Sequence, residues 1–392
     1  MYNFETARKI SYDRNQAFWG CKDQYFFNKA DCLRYATSQK TLDVKFHFFD
    51  ESYSSLDWSR EPSETLDQLY AERARQIRDK YDYVMLCYSG GSDTANILDT
   101  FLENNIRLDE IVLYYPTSII DKFQDKFDYD RDNPKNHLFE YLLAALPKLQ
   151  EVSARYPNIK INVFDYVSEA IENYNNIFTM FSGGNIASPV MIGHYQVIKR
   201  LREVSENQNA CVVTGHCKPK LFYNKAERKY GNFFADAITF GRFDPAVIND
   251  FMPNIELFYH SKDFPQLVQK QCYVLKHVLD QMIDPETLTM KDKSLYIDKG
   301  KTIEFLTNEE FYKRILYKNW NGTVWQVSKT LNLFHMEQSD WFHNSTITDQ
   351  RQKDYYEGQL LEVLNGIHKF FVESIDGRPS KFKTFISSVN WF

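Results

Sequence analysis

Short unbroken apolar runs alternate with segments of helical spacing from about residue 64 to 240, and this alternation predicts the architecture. A helix is expected to start at Ser63, after Pro62, and to run to about Lys80, with Leu66, Leu69, Tyr70, Ala74 and Ile77 on its apolar face and Ser63 as its cap. Val84 to Tyr88 reads as a buried strand, and Thr94, Ile97, Leu98, Phe101 and Leu102 then recur at helical spacing. "DEIVLYYP" is a second strand stopped by Pro116, "HLFEYLLAALPKLQEV" a helix, and "IKINVFDY" a third strand. "SPVMIGHYQVIKRLREV" is a helix with Ser188 as cap and Pro189 in its first turn, and "NACVVTGH" is a fourth strand. Strands that alternate with helices imply parallel pairing, hence an α/β fold with a doubly wound, mostly parallel sheet over residues 64–240.

The flanks read differently. Residues 1–63 form an aromatic-rich lead with one expected strand, "DVKFHFFD". Residues 241–392 read as mainly helical, from the amphipathic stretches "FPQLVQKQCYVLKHVLDQMI" and "YYEGQLLEVLNGIHKFFVESI", with "FKTFISSVNWF" as a strand or an ordered tail. Four of the six tryptophans, Trp320, Trp325, Trp341 and Trp391, concentrate here.

Composition narrows the class. A hydrophobic content of 43% supports a full core, and a net charge of −6 argues against a broad polyanion-binding surface. The cysteines at 21, 32, 87, 211, 217 and 272 form no CxxC pair, and neither a secretory leader nor a membrane-length apolar run is visible. A reduced cytoplasmic setting without membrane attachment is therefore expected.

With only 14 glycines in the chain, the pairs Gly90-Gly91 and Gly183-Gly184 stand out. The first sits in "YSGGSDT", between a buried strand and a helix. In open α/β sheets ligands bind at the carboxyl ends of strands, and a helix opening there presents free N–H groups and a positive dipole end to an anion. Ser89, Ser92 and Thr94 add hydroxyls, and Gly90 and Gly91 let the backbone approach closely. Asp93 repels phosphate unless Mg²⁺ lies between the two. The turn is neither a Walker A loop nor a G-x-G-x-x-G fingerprint, and a plain strand-to-helix turn with Ser and Asp as caps is the competing reading.

Placed on strand, loop and helix, "SGGSDT" resembles the SGGxDS loop of the PP-loop ATP pyrophosphatases, with Thr94 where that family usually has Ser. The stretch from Ala187 to Asn224 is similar to the matching region of asparagine synthetase-type synthetase domains, through Ser188-Pro189 at a helix start and Thr214, Gly215, Leu221 and Phe222 around the fourth strand. The resemblance covers about 150 residues and implies an ATP- and Mg²⁺-dependent ligase that releases AMP and pyrophosphate. It further implies that Ser89, Gly90, Gly91, Ser92, Asp93, Thr94, Thr214, Gly215 and His216 surround the nucleotide and that Asp93 holds the metal; Lys218 and Lys220, in a stretch that departs from the family, are read as point charges acting on the phosphate oxygens. The family's Asp-Glu pair falls on Pro219-Lys220 and its second Gly on Cys217. The lead ahead of the synthetase-like stretch offers no room for that family's glutaminase domain, so free ammonia or a substrate amine is the expected nitrogen donor.

The acceptor is expected to be a small molecule, with a nucleobase in tRNA or viral DNA as the alternative; a nucleotide-binding protein without turnover is the third reading. Thiolation ranks below amide formation, because CxxC cysteines are absent. Asp121 and Asp125 read as a solvated helix face, with a place beside the metal as the alternative, Lys199 and Arg200 as surface helix positions, Ser182-Gly183-Gly184-Asn185 as a turn or pocket edge, and "DYDRDNPKN" as a surface loop. The Tyr-, Phe-, Asn-, Asp- and Lys-rich composition is similar to that of large tailed phages. Oligomeric state is not legible.

Overall fold

The computed structural model describes residues 9–27, 29–119, 140–172, 190–215, 219–236, 254–282, 296–298, 300–305, 309–320, 370–373, 379–382 and 385–392. The chain opens with strands β1 (Lys9–Ile10), β2 (Ala17–Cys21) and β3 (Gln24–Phe26), helix α1 (Lys29–Ser38), strand β4 (Lys45–Phe48) and a short α2 (Asp50–Ser54). It continues through α3 (Leu66–Lys80), β5 (Tyr83–Cys87), α4 (Ser92–Glu103), β6 (Glu110–Tyr115), a π-helical turn (Glu140–Ala145) running into α5 (Leu146–Arg155), β7 (Lys160–Asp165), α6 (Val167–Glu172), α7 (Val190–Ser205) and β8 (Ala210–Thr214). Then follow β9 (Lys220–Asn224), β10 (Lys229–Phe233), β11 (Ile255–Leu257), α8 (Gln266–Met282), β12 (Tyr296–Asp298), β13 (Thr302–Phe305), α9 (Glu309–Leu316), β14 (Phe371–Glu373), β15 (Pro379–Phe382) and β16 (Asn390–Trp391).

A five-stranded sheet in the order β11-β8-β5-β6-β7 is parallel throughout. Its central strands are apolar on both faces because both are covered. Val84, Leu86, Ile111, Leu113, Cys211 and Val213 join one core with α3, α4 and α5. Met85, Val112, Ala210, Val212 and Ile255 join a second core with Val197, Ile198, Leu201 and Val204 of α7. Helices thus lie on both faces, the layering of a doubly wound α/β sheet. In α4, Ile97, Leu98 and Phe101 are fully buried, each contributing about 1.5–3 kcal/mol by leaving water.

Local chemistry corrects the start of α3. Its cap is Thr65, not Ser63: the Thr65 Oγ1 accepts from the Gln68 N–H at 3.2 Å, and the Gln68 Oε1 accepts from the Thr65 N–H at 2.8 Å. A cap at Ser63 would have put Leu66, which has no acceptor, in that reciprocal position. Arg200 is a second correction. It is not a solvated position: its guanidinium donates to the fully buried Glu110, Nε to Oε1 at 3.0 Å and Nη2 to Oε2 at 3.0 Å. The Tyr83 hydroxyl and the Asn162 amide also donate to that carboxylate, at 2.7 and 2.5 Å. Burial alone would raise the Glu110 pKa, but these bonds and the Arg200 charge hold it below the usual range. Lys199 is exposed, as expected.

The division expected at residue 240 does not follow the sheets. β11 is an edge strand of the parallel sheet. A second, antiparallel sheet, β12-β13-β9-β10-β16, gathers strands from both sides of that division. The C-terminal third is therefore not simply helical. In particular, Phe371–Glu373, placed in a helix from sequence, is a strand paired with β15. A third sheet, β1-β3-β2-β4, includes the expected strand "DVKFHFFD" as β4 and shares the first core, where Phe48 and Tyr53 lie 4.5 and 4.4 Å from Phe234 between ring centroids. Cys21, Cys32, Cys87, Cys211 and Cys272 are free thiols. Among the described residues no helix is long and apolar enough to cross a membrane.

Candidate functional site

The glycine turn lies at the carboxyl end of β5, the middle strand of the parallel sheet. Gly90 has φ +76°, and a Cβ there would come within 3.0 Å of the Ala145 N and Cβ. Both the left-handed backbone and the close packing therefore demand glycine. Gly91 caps α4 with extended φ −73° and ψ 157°.

Side chains then lock the turn onto the helix. The Ser89 N–H donates to Thr94 Oγ1 at 3.1 Å, the Gly91 N–H to Ser89 Oγ at 3.3 Å, and the Thr94 hydroxyl to the Gly91 carbonyl at 3.1 Å. The Ser89 carbonyl accepts from the Tyr115 hydroxyl at the end of β6. Thr94 differs here from the sequence reading: its proton goes to the Gly91 carbonyl, so it shapes the turn rather than donating to a ligand.

Ser92 is different. It is 4% exposed and its Oγ has no hydrogen-bond partner among the described residues. The same holds for Thr214, 2% exposed, at the end of the adjacent strand β8. A buried hydroxyl without a partner is costly, by about 1–3 kcal/mol; one of the two opens the helix that follows β5 and the other ends the neighbouring strand β8. Gly215 joins the two strand ends. A Cβ on it would meet Ile97 Cδ1 at 2.7 Å, Thr94 Cγ2 at 3.2 Å and the Asp93 carbonyl carbon at 3.3 Å. The chain leaving β8 thus packs directly on the first turn of α4.

Asp93 lies in that first turn. Its Oδ1 accepts from the Tyr317 hydroxyl, and its backbone carbonyl accepts from the Tyr259 hydroxyl at 2.8 Å. The Asn96 amide in turn donates to the Tyr259 oxygen at 3.0 Å. Burial first, and the Asp93 charge second, push the Tyr317 phenol well above its ordinary pKa. Tyr317 therefore stays a neutral donor.

The remaining expected positions divide. Lys220 is half-buried and opens β9, opposite Phe233 in the antiparallel sheet, with Pro219 buried beside it. No described contact places Lys220 on the glycine turn. His216, Cys217 and Lys218, with Asp121, Asp125, Ser182-Gly183-Gly184-Asn185 and "DYDRDNPKN", lie outside the described residues. Among the described residues no three His, Cys, Asp or Glu side chains cluster to hold a metal ion. The donor set fits a phosphate chain with Mg²⁺: one carboxylate, two unpartnered hydroxyls and the N–H groups of a helix start, the phosphates and water completing the ion's shell. Tyr317, Tyr259 and Asn96 were not anticipated. Isolated tyrosines, both beyond residue 240, carry no signal of meeting an aspartate more than 150 positions away.

Fold and site together define a mixed α/β protein with a glycine turn and a helix start at the carboxyl end of the central strand of its parallel sheet. No protein-family model matches this chain, and no curated protein matches it.

Proposed function

We propose that the protein is an ATP-dependent, AMP-forming ligase, a PP-loop ATP pyrophosphatase of the asparagine synthetase type in its core. One observation carries the reading. The unpartnered buried hydroxyls of Ser92, which opens α4 just after β5, and Thr214, which ends the adjacent parallel strand β8, lie beside a helix start whose cap, Gly91, carries no side chain. Phosphate oxygens would satisfy both hydroxyls together with the first N–H groups of α4.

In this reading an acceptor carboxyl or carbonyl oxygen attacks the α-phosphorus of ATP, pyrophosphate leaves, and a nitrogen nucleophile then displaces AMP. Asp93 would hold Mg²⁺, which would supply neutralisation of charge on the pyrophosphate. The chain itself contributes position. Thr94 and Ser89 fix the turn, Gly215 brings the second strand end against it, and the buried hydroxyls orient the phosphates without reorganising.

The test is incubation with α-labelled ATP and Mg²⁺, with a metabolite extract and separately with RNA or DNA. AMP and pyrophosphate are expected in the presence of an acceptor, falling about 100-fold or more with Asp93→Ala. ADP and phosphate would sink the proposal. Release of AMP with nucleic acid alone would transfer the reading to nucleobase modification. A second reading, nucleotide binding without turnover, is favoured by Pro219 and Lys220 standing where acids are expected. Tight ATP binding with no AMP under any supplement would select it.

A further inference from the structure

We infer that Tyr317 determines which divalent ion this site accepts, by committing one oxygen of Asp93 and so imposing ligation through the other. The inference rests on the nucleotide reading above and adds a positioning residue, from outside the α/β core sequence, that sets metal specificity.

The geometry is direct. The Tyr317 hydroxyl donates to Asp93 Oδ1, and Tyr317 is 3% exposed. Its ring lies 5.8 Å from that of Tyr259, whose hydroxyl holds the Asp93 backbone carbonyl at 2.8 Å. The phenol is anchored from both sides along its own chain. The Tyr70 hydroxyl donates to the Leu316 carbonyl at 3.2 Å, and the Asn319 amide donates to Glu103 of α4 at 2.7 Å. The Tyr317 segment is thus tied to the helix carrying Asp93 through Tyr317 itself and Asn319, and to α3 through Tyr70. Carboxylate and backbone of Asp93 are fixed by two different tyrosines.

The coordination chemistry follows from that. Mg²⁺ requires a near-octahedral shell and keeps several waters, so one carboxylate oxygen beside phosphate oxygens suits it. Ca²⁺ takes six to eight oxygens and readily accepts both oxygens of a carboxylate. Chelation by both oxygens of Asp93 would have to displace a buried, charge-assisted hydrogen bond. The tyrosine thereby favours Mg²⁺ or Mn²⁺ over Ca²⁺, although a single carboxylate discriminates weakly by charge.

The experiment is equilibrium binding of ATP in MgCl₂ and in CaCl₂, for the full chain and for Tyr317→Phe and Tyr259→Phe, with thermal melts confirming that each is folded. The wild type is expected to bind ATP more tightly with Mg²⁺. In Tyr317→Phe the Mg²⁺-to-Ca²⁺ affinity ratio is expected to fall about fivefold or more, since a hydrogen bond to a charged group is lost from one metal's competitor. Tyr259→Phe removes a hydroxyl that meets the Asp93 backbone carbonyl, the Asn96 amide and Tyr317 but not the carboxylate, so it should weaken both metals and shift the ratio less than Tyr317→Phe does. A ratio in Tyr317→Phe equal to that of the wild type overturns the inference. So does a wild type that binds ATP equally with both ions, whatever the variants do. ATP binding with neither ion overturns the nucleotide reading, and this inference with it.

Discussion

Glu256 and Asp236 are both nearly inaccessible, 5% and 0% exposed, and each joins two parts of the molecule. They are held in opposite ways. Glu256, in β11, accepts from Arg73 at 2.6 Å, Lys80 at 2.8 Å and the Tyr81 hydroxyl at 2.7 Å, and so pins the edge of the parallel sheet to α3. Burial alone would raise its pKa, but these donors outweigh burial and leave it below the ordinary range. Asp236, just past β10, accepts from Lys29 at 2.8 Å, Trp19 Nε1 at 2.7 Å and the Phe385 N–H at 3.0 Å, joining the N-terminal sheet to the antiparallel one. There burial wins: it lifts the Asp236 carboxyl and lowers Lys29. Two cations and a phenol make the first pin redundant, whereas the second depends on one lysine among the described residues.

The largest expected effect therefore falls on the second pin. Lys29→Met should destabilise the fold by about 3–5 kcal/mol, because it strands a buried carboxylate. Adding Asp236→Asn should recover most of that loss, since the amide keeps an acceptor for Trp19 and carries no charge. A double variant as unstable as the single one, by urea unfolding, would refute the account.

Arg73→Met should be milder, about 2 kcal/mol, with Lys80 and Tyr81 still facing Glu256. It should also depend on pH with a defined sign. The lowered Glu256 pKa contributes stability present above the ordinary carboxylate value and lost as pH falls through the folded one. Without Arg73, burial raises that pKa and the neutral form is favoured, so wild type and variant should converge from about pH 7 to about pH 4. Urea midpoints that diverge on acidification would break the comparison. The two pins should differ in function too. The Phe258 N–H, one residue past β11, donates to the Thr214 carbonyl at 3.0 Å. Arg73→Met should thus weaken ATP binding more than its stability loss alone predicts.

The first pin joins a part of the fold that sequence makes legible, α3, to one that it does not, β11. β5 to β8 and their helices are short apolar runs followed at once by helical spacing, so local pattern suffices, and the glycine turn is read from its position between them. β11 was missed because it is three residues long and returns to the sheet more than 40 positions after β8. The antiparallel sheet was missed for the same physical reason. β13 pairs with β9 and β16 with β10 across long separations, and no local period marks a partner. Arg200 was misread because its charge suggests solvent, while its fixed donors make it the residue suited to neutralise Glu110. Tyr317 lies wholly in the non-local class.

The smallest stability effect should be the most telling for the site. Gly215 joins β8, the neighbour of the strand pinned through Glu256, to the first turn of α4, and among the described residues nothing at Asp236 touches that contact. Gly215→Ala places its methyl 2.7 Å from Ile97 Cδ1, the movable end of a side chain. The fold should lose only about 1 kcal/mol, while ATP affinity falls further, because the Thr214 hydroxyl is pushed away from the helix start. Ile97→Val removes that atom. By itself it should cost about 0.5–1.5 kcal/mol, yet in the Gly215→Ala background it should restore part of the binding. Unchanged ATP affinity in Gly215→Ala would mean that the end of β8 is packing alone, and would leave the glycine turn to hold its anion without a second strand.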